Sequence, residues 1–308
     1  MASEIEITKD FPPSRERAVL LELLAVSQVL KQEGIDAIIC GGWVPFLKEL
    51  ARDSKPSHSM SFDIDVLLRA KARERESVDR IKTLLSNSLA YQRDKNESFR
   101  YQKTVDGNPI QLDLLADVAR VREDDAILKV QGVTTSLDLC RVDGGEDLNG
   151  HIETLHINVR DGETVETFEI VVPDAVGFLL LKTAVGHYRE DPKDAYDIYY
   201  YCRFSQDSTS IREMLLKSMG EPAVARTVED LKAKFTDTDS KWVEMILDQM
   251  SVKGDERDRE AQFIVRTISE SSRICGLRIG RSGGHPSGER SGASANRGPE
   301  RLSSGSPP

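Results

Sequence analysis

Two aspartates interrupt an apolar segment early in the chain, S-F-D-I-D-V-L-L at residues 61–68. Alternate side chains of an extended strand lie on one face, so Asp63 and Asp65 are expected side by side. Phe62 and Ile64 are expected to face the core. Two neighbouring carboxylates repel each other unless a proton or a cation lies between them, and such oxygen ligands suit Mg²⁺. An edge strand with one solvent-facing polar side explains the same pattern.

A glycine pair ends the preceding apolar run. Residues 35–40 are typical of a short buried strand, and a helix is predicted from Trp43, with Pro45 in its first turn. Gly41 and Gly42 would place backbone N–H groups at a helix start, where anions bind, and would let the backbone approach them closely. An ordinary strand-to-helix turn is the alternative interpretation.

A third carboxylate lies inside another apolar run, I-Q-L-D-L-L around Asp113. Such a residue is costly to bury unless it is paired or bound to a metal. With Asp63 and Asp65 it is predicted to complete a site for one or two divalent cations, Mg²⁺ or Mn²⁺. It is also a candidate to accept a proton from an attacking hydroxyl. Asp117 and Asp138 are rival candidates for this third position.

The order of the predicted elements indicates an α+β fold, with a mixed sheet flanked by helices and followed by a helical region. We predict a core domain over 1–172, a helical domain over 173–275 and a disordered tail over 276–308, which is rich in Gly, Ser, Pro and Arg. Helices are predicted at 14–33, 43–52, 70–87, 175–188, 192–204, 208–218, 221–234, 239–250 and 257–274. Strands are predicted at 35–40, 61–68, 89–93, 97–105 and 109–116, with more within 133–172.

Composition limits the classes of function. The net charge of −10 opposes a general nucleic-acid binder, whose affinity comes from neutralising phosphates. The basic segment 69–82 is either a local basic patch or a solvated helix face. No apolar stretch approaches the ~20 residues that span a bilayer, and the first residues lack a signal-peptide pattern. The four cysteines have no metal-site or disulfide spacing, so a cytoplasmic location is expected.

The order strand, Gly-Gly, helix, acidic pair and later aspartate resembles the nucleotidyltransferase superfamily, which has a polymerase-beta-like core. Residues 168–203 further resemble its AbiEii/AbiGii-type toxin branch. That branch typically carries a lysine in a helix after the last strand, which Lys182 matches. It then carries an R-x-K-D-x-Y-D-like stretch, matched here by Lys193, Asp194, Tyr196 and Asp197.

The resemblance covers roughly residues 35–203, and the sequence departs from the pattern at four places. One is the 20 residues between Gly42 and Asp63, more than compact members have, which implies an inserted loop or a longer helix. The arginine of the last motif falls on Asp191. Ser61 replaces a threonine that often precedes the acidic pair. The segment before Ser61 also lacks an arginine that many relatives carry, which removes one expected contact with a triphosphate.

The resemblance implies an Mg²⁺-dependent nucleotidyltransferase, which moves an NMP from an NTP to a hydroxyl acceptor such as an RNA end. A toxin of this branch would have an antitoxin protein as its partner. The implied catalytic residues are Asp63, Asp65, Asp113 and Lys182. The implied contacts with the nucleotide come from Gly41, Gly42, Ser61, Lys193, Asp194 and Asp197.

Two other functions fit parts of the same pattern. One is a non-catalytic nucleotide-binding module of the same fold, which would bind NTP and metal without turnover. The other is a sugar transferase whose D-x-D pair holds Mn²⁺ and a nucleotide-sugar. The Gly-Gly turn and the later Lys/Asp motif argue against the sugar transferase.

Overall fold

The fold is known from a computed structural model, which describes residues 3–6, 14–51, 61–118, 127–148, 150–161, 163–185, 190–205 and 208–272. The tail predicted over 276–308 lies outside these residues. The strands are β1 (Ser3–Glu6), β2 (Ala37–Cys40), β3 (Asp63–Leu68), β4 (Gln92–Arg93), β5 (Arg100–Val105), β6 (Asn108–Val118), β7 (Ile127–Gln131), β8 (Ser136–Asp143), β9 (Ile152–Asp161) and β10 (Thr164–Pro173). The α-helices are α1 (Ser14–Gln32), α2 (Trp43–Leu50), α3 (Arg75–Thr83), α4 (Ala175–Val185), α5 (Pro192–Tyr200), α6 (Ser208–Lys217), α7 (Pro222–Lys234), α8 (Lys241–Gln249) and α9 (Asp255–Ser272).

A seven-stranded mixed sheet carries both acidic segments. Its main order is β2-β3-β6-β5-β4, with β8 paired to the far end of β6 and β7 paired to β8. Strand β3 is parallel to β6, whereas β2 is antiparallel to β3 and β5 is antiparallel to β6. The acidic strand β3 therefore lies between the strand that ends in the glycine pair and the strand that carries Asp113. A separate three-stranded sheet has the order β1-β9-β10.

Helix α1 could be predicted from its own residues, because its apolar spacing and its terminal glycine are local signals. Its apolar stripe recurs at helical spacing and is fully buried: Val19, Leu23, Val26 and Leu30. The helix ends at Gln32, one residue before the predicted end, and Gly34 follows with a φ of +66°, which glycine adopts without strain. The N–H of Gly34 donates to Lys31 O at 2.9 Å and that of Ile35 donates to Leu30 O at 2.9 Å. These two bonds are those of a Schellman motif.

Two large apolar cores organise the described residues. One lies between α1, α2, α3 and the two sheets. The other lies among α4 to α9, and Val44 of α2 belongs to it. The predicted α+β class, a mixed sheet flanked by helices and followed by a helical region, is confirmed. The domain boundary at 172/173 stays a prediction. Within the described ranges no helix has the length and apolar character needed to cross a membrane.

Several local expectations were wrong in detail. The helix predicted over 70–87 is interrupted: a 3₁₀ turn (Ala70–Arg73), α3 and a π-helical turn (Leu84–Ser88) follow one another, and Glu74 between the first two is extended, with ψ of 147°. The break accompanies packing of α3 against the β7–β8 turn, where the Asp79 carboxylate accepts the N–H groups of residues 133–135. Tertiary contact here overrides helix propensity.

Phe62 is also wrongly placed by the alternation rule. It lies just before β3, is 40% exposed, and carries the Arg15 guanidinium 3.5 Å from its ring centroid. Because the residue lies outside the paired strand, the neighbouring core does not cover its ring. Strand β7, which the sequence pattern did not predict, pairs with β8 in antiparallel register.

Candidate active site

The acidic residues of β3 and β6 meet on one face of the sheet. Asp65 is the in-register neighbour of Asp113 on the parallel strand β6. Asp63, Asp65 and Asp113 each offer an oxygen atom, and these atoms lie within 4.8 Å of one another. The predicted convergence of the three side chains is therefore confirmed. Their role as metal ligands stays a prediction.

The electrostatics of this acidic cluster favour a bound cation. Burial, followed by the charges of Asp63 and Asp113, raises the pKa of Asp65 to about 7, and Lys182 and Lys193 partly offset the rise. The donor set consists of carboxylate oxygens, the ligands that hard divalent ions such as Mg²⁺ prefer. The residues present therefore fit such an ion, because its positive charge would offset the burial and the neighbouring negative charges that raise this pKa.

The glycine pair packs directly against the acidic strand. Gly41 has a φ of +74°, and a Cβ atom added to it would lie 1.9 Å from Asp65 Oδ2. A Cβ atom added to Gly42 would lie 3.4 Å from Lys193 Nζ and from Ser61 Cβ. The turn needs small residues because the side chains of Asp65, Lys193 and Ser61 occupy the space beside it. The predicted position of the turn, facing the aspartates, is confirmed.

Helix α2 fixes the backbone of the acidic strand. The indole Nε1 of Trp43, the first residue of α2, donates to Asp63 O at 3.1 Å. Trp43 is fully buried and packs edge-on against Phe46 at 5.4 Å between ring centroids. A large side chain held in the core therefore anchors the strand at the position where the first carboxylate projects.

Lys193 reaches the acidic cluster from the first turn of α5. Its Nζ donates to Ser61 Oγ at 2.8 Å and lies 4.0 Å from Asp63 Oδ1. The helix start is fixed by Pro192 and by Asp191, whose side chain accepts the Lys193 N–H at 2.9 Å. Asp191, which departs from the family pattern, thus serves as the N-cap of α5. With a 39% exposed side chain, Lys193 is accessible to a ligand.

Lys182 has a different environment. Its Nζ donates to Asp194 Oδ1 at 2.8 Å and to Asp197 Oδ2 at 2.7 Å. All three residues are buried. Burial lowers the pKa of Lys182, but the two carboxylates more than offset this effect and leave the pKa above its ordinary value. The spacing of Asp194 and Asp197 on one helix face therefore serves this lysine, which remains charged at neutral pH.

The other candidates are separate from the cluster or outside the described residues. Asp138 forms an ion pair with Arg93 on β4. Among the described residues, the side chains close enough to share an ion are those of Asp63, Asp65 and Asp113, and Asp138 is not one of them. The side chain of Asp117 lies outside the described residues.

Comparison with known proteins finds distant structural likenesses. No family model matches the sequence, and no curated protein matches it. An antigenic nucleotidyltransferase-like protein from Paracoccidioides brasiliensis is 12% identical over 74% of this chain and 93% of that chain, with a TM-score of 0.37. The antibiotic-resistance factor ANT(2'')-Ia is 8% identical over 72% of this chain and 94% of that chain, with a TM-score of 0.35. Both TM-scores are below 0.5, so the functional argument depends on the site itself.

Arg100 is a component of the site that the sequence analysis missed. Its Nε donates to Asp113 Oδ1 and its Nη2 to Asp113 Oδ2, each at 2.7 Å. The pair follows from the hairpin: the two-residue turn Asp106-Gly107 pairs Val105 with Asn108, and the same register places Arg100 opposite Asp113. The Asp-Gly turn signal was visible in the sequence, and counting outward from it would have found this partner.

Proposed function

We propose that this protein is a metal-dependent nucleotidyltransferase, which transfers an NMP from an NTP to a hydroxyl acceptor. The observation that carries the proposal is the meeting of three carboxylates within 4.8 Å beside a glycine turn in which Gly41 has no room for a side chain. An acidic cluster supplies ligands for a divalent ion, and backbone N–H groups at a glycine turn before a helix can bind a phosphate near it.

Each residue of the site has a proposed role in this chemistry. The acceptor oxygen attacks the α-phosphorus, the bond from that phosphorus to the pyrophosphate oxygen breaks, and pyrophosphate leaves. Asp113 takes the proton of the acceptor hydroxyl. Asp63 and Asp65 hold the divalent ion, and that ion, when bound, supplies positive charge to the phosphates during transfer.

The two lysines have different proposed roles: Lys193 binds the nucleotide, and Lys182 holds helix α5 in position. Lys193, whose side chain is partly exposed and whose Nζ lies 2.8 Å from Ser61 Oγ, is proposed to bind phosphate oxygens of the NTP. Ser61, Gly41 and Gly42 complete the nucleotide contacts. Lys182 is proposed to act through its neighbours, because it binds Asp194 and Asp197 and so fixes the helix from which Lys193 projects.

The acceptor and the biological role follow from the resemblance alone. The Lys182 motif and the Lys193 to Asp197 motif suggest the AbiEii-type toxin branch, with an RNA end as acceptor and an antitoxin protein as partner. The net charge of −10 weighs against an extended RNA-binding surface. An RNA acceptor would therefore be held by local contacts near its reacting end.

Labelled NTPs test the proposal directly. Purified protein is incubated with NTPs, Mg²⁺ or Mn²⁺, and total RNA or total protein, and transfer of the label is measured. Asp63→Ala and Asp65→Ala are expected to abolish transfer. Asp138→Asn is a matched control, because it changes a carboxylate of the same sheet that lies outside the cluster. Transfer that persists in the Asp65→Ala protein would refute the proposed site.

A non-catalytic nucleotide-binding module is the second candidate, and one observation favours it. Both oxygens of Asp113 already accept hydrogen bonds from Arg100, so the proposed base has a partner before any acceptor binds. Calorimetry with NTP and Mg²⁺, run beside a pyrophosphate-release assay, separates the candidates. Binding without pyrophosphate release would select the module.

A further inference from the structure

The ion pair between Arg100 and Asp113 bears on how many divalent ions the acidic cluster binds. The guanidinium donates to both carboxylate oxygens in a two-bond geometry, which is among the stronger polar contacts in proteins. Asp113 is 6% exposed, while the Arg100 side chain is 27% exposed. The carboxylate is thus buried, and the arginine reaches it from the partly open side.

The Arg100 guanidinium already neutralises one of the three carboxylates of the acidic cluster. The guanidinium compensates Asp113, and its charge also interacts with that of Asp63. Lys193 approaches Asp63 less closely, at 4.0 Å between Nζ and Oδ1. Asp65 has no such direct partner for its carboxylate among the described hydrogen bonds. The excess negative charge therefore lies on the β3 side of the cluster.

We propose that in the nucleotide-free protein Arg100 takes the place of a second divalent ion at Asp113, so that the cluster binds one ion, through Asp63 and Asp65. This inference rests on the proposed function. Arg100 is then a positioning residue that acts through Asp113. Phosphate groups of a bound NTP offer the guanidinium an alternative two-bond partner, and Asp113 is released to bind the second ion.

Binding of Mn²⁺ to the full chain without nucleotide tests the proposal independently of activity. Free Mn²⁺ is measured by electron paramagnetic resonance during a titration. The unaltered protein is expected to bind one Mn²⁺. Arg100→Gln is expected to bind a second Mn²⁺. Its affinity for this second ion should be roughly tenfold or more above that of the unaltered protein, because a positive charge a few ångströms from the ion has been removed. Arg93→Gln is the matched control, since it breaks an arginine–aspartate pair on the same sheet, and one Mn²⁺ is expected.

A charge-neutral double variant gives a second measurement. Arg100→Gln with Asp113→Asn removes both members of the pair and leaves the net charge of the cluster unchanged. Because Asp113 is not a ligand in the free protein under this proposal, the double variant is expected to bind one Mn²⁺ with unaltered affinity. A tenfold or larger loss, of about 1.4 kcal/mol or more, would show that Asp113 already holds the first ion and would overturn the proposal.

The remaining outcomes are also decisive. Two tightly bound Mn²⁺ ions in the unaltered protein, or an unchanged titration for Arg100→Gln, contradict the role of Arg100. If Arg100→Gln does not fold, the double variant decides. Failure of the proposed function looks different, because it appears as a lack of transfer in the labelled-NTP assay while the Mn²⁺ titration still reports one ion for the unaltered protein and two for Arg100→Gln. Mn²⁺ binding that stays intact in Asp63→Ala and Asp65→Ala would instead show that the ion lies outside the cluster, and would overturn the proposal.

Discussion

At the scale of single residues, Asp65 links the site to stability. Its pKa rises from 3.8 to about 7, so the folded state binds the proton more tightly than the unfolded state does. The stabilising contribution of the protonated group is complete below about pH 4 and is lost as the pH rises through about 7. Above that pH the ionised carboxylate destabilises the folded state when no cation is bound.

We therefore expect Mg²⁺ to raise the melting temperature more at pH 8 than at pH 6. Thermal unfolding with and without Mg²⁺ at the two pH values measures this difference. Asp65→Asn should remove most of the dependence on pH and most of the Mg²⁺ effect. An equal Mg²⁺ shift at both pH values would contradict the proposed electrostatics.

Gly41 gives a second prediction at this scale. Gly41→Ala adds a methyl group where Asp65 Oδ2 lies 1.9 Å away, at a φ of +74°. Gly107→Ala is a matched control with a similar φ of +79° and nothing within 4 Å. Both should lose about 1 kcal/mol from backbone strain. In urea unfolding, Gly41→Ala is expected to lose more than Gly107→Ala, and it alone should lose Mn²⁺ affinity. Equal losses for both variants would mean that the close approach is unimportant.

At the scale of elements, helix α5 contacts one lysine and carries the other. Lys182 binds two aspartates of α5, and Lys193 projects from α5 towards the acidic cluster. Lys182→Met should leave Asp194 and Asp197 buried without the Lys182 ammonium that binds both, at a cost of about 3–5 kcal/mol in the free energy of unfolding. Lys193→Ala should change stability by less than about 0.5 kcal/mol, because its side chain is 39% exposed. Its NTP affinity should nevertheless fall. Denaturant unfolding measures the stability of both variants, and NTP titration measures their affinity. A large loss of stability for Lys193→Ala, with a loss of NTP affinity but not of stability for Lys182→Met, would contradict these roles.

The same helix shows what the sequence could and could not predict. The resemblance pointed to Lys182 and to the motif with Lys193, Asp194 and Asp197 on two predicted helices, and Pro192 marked the start of the second. Which lysine is buried could not be predicted, because that depends on where α4 and α5 pack. Asp191 looked like a lost motif residue, and the structure gives it a local purpose as the N-cap.

The sheet shows the same division between local and non-local information. Alternation and the glycine turn placed Asp63 and Asp65, and the apolar run placed Asp113 on a strand. The meeting of β3 with β6 is a pairing between distant segments, which no local pattern encodes. The break before α3 and the exposure of Phe62 also depend on neighbours that are remote in sequence.

At the scale of the whole molecule, the sheet and the C-terminal helices share one site. Lys193 of α5 binds Ser61, and Tyr200 Oη donates to Glu49 Oε2 of α2 at 2.9 Å within the buried region. Val44 of α2 is part of the helical core. We therefore expect one cooperative unfolding transition, coincident by circular dichroism and tryptophan fluorescence. A fragment ending at residue 172 should fail to bind NTP. Two separate transitions, or NTP binding by that fragment, would support independent domains instead.

The central claim is that the acidic cluster transfers nucleotidyl groups, and the position of the label in the NTP tests it most directly. Parallel reactions with Mg²⁺ contain NTP labelled at the α- or at the γ-phosphate, together with total RNA and total protein. The account predicts that α-label becomes attached to an acceptor, that γ-label is released as pyrophosphate, and that Asp65→Asn stops both. Label transferred from the γ-position, or no transfer and no pyrophosphate with any NTP, would contradict it.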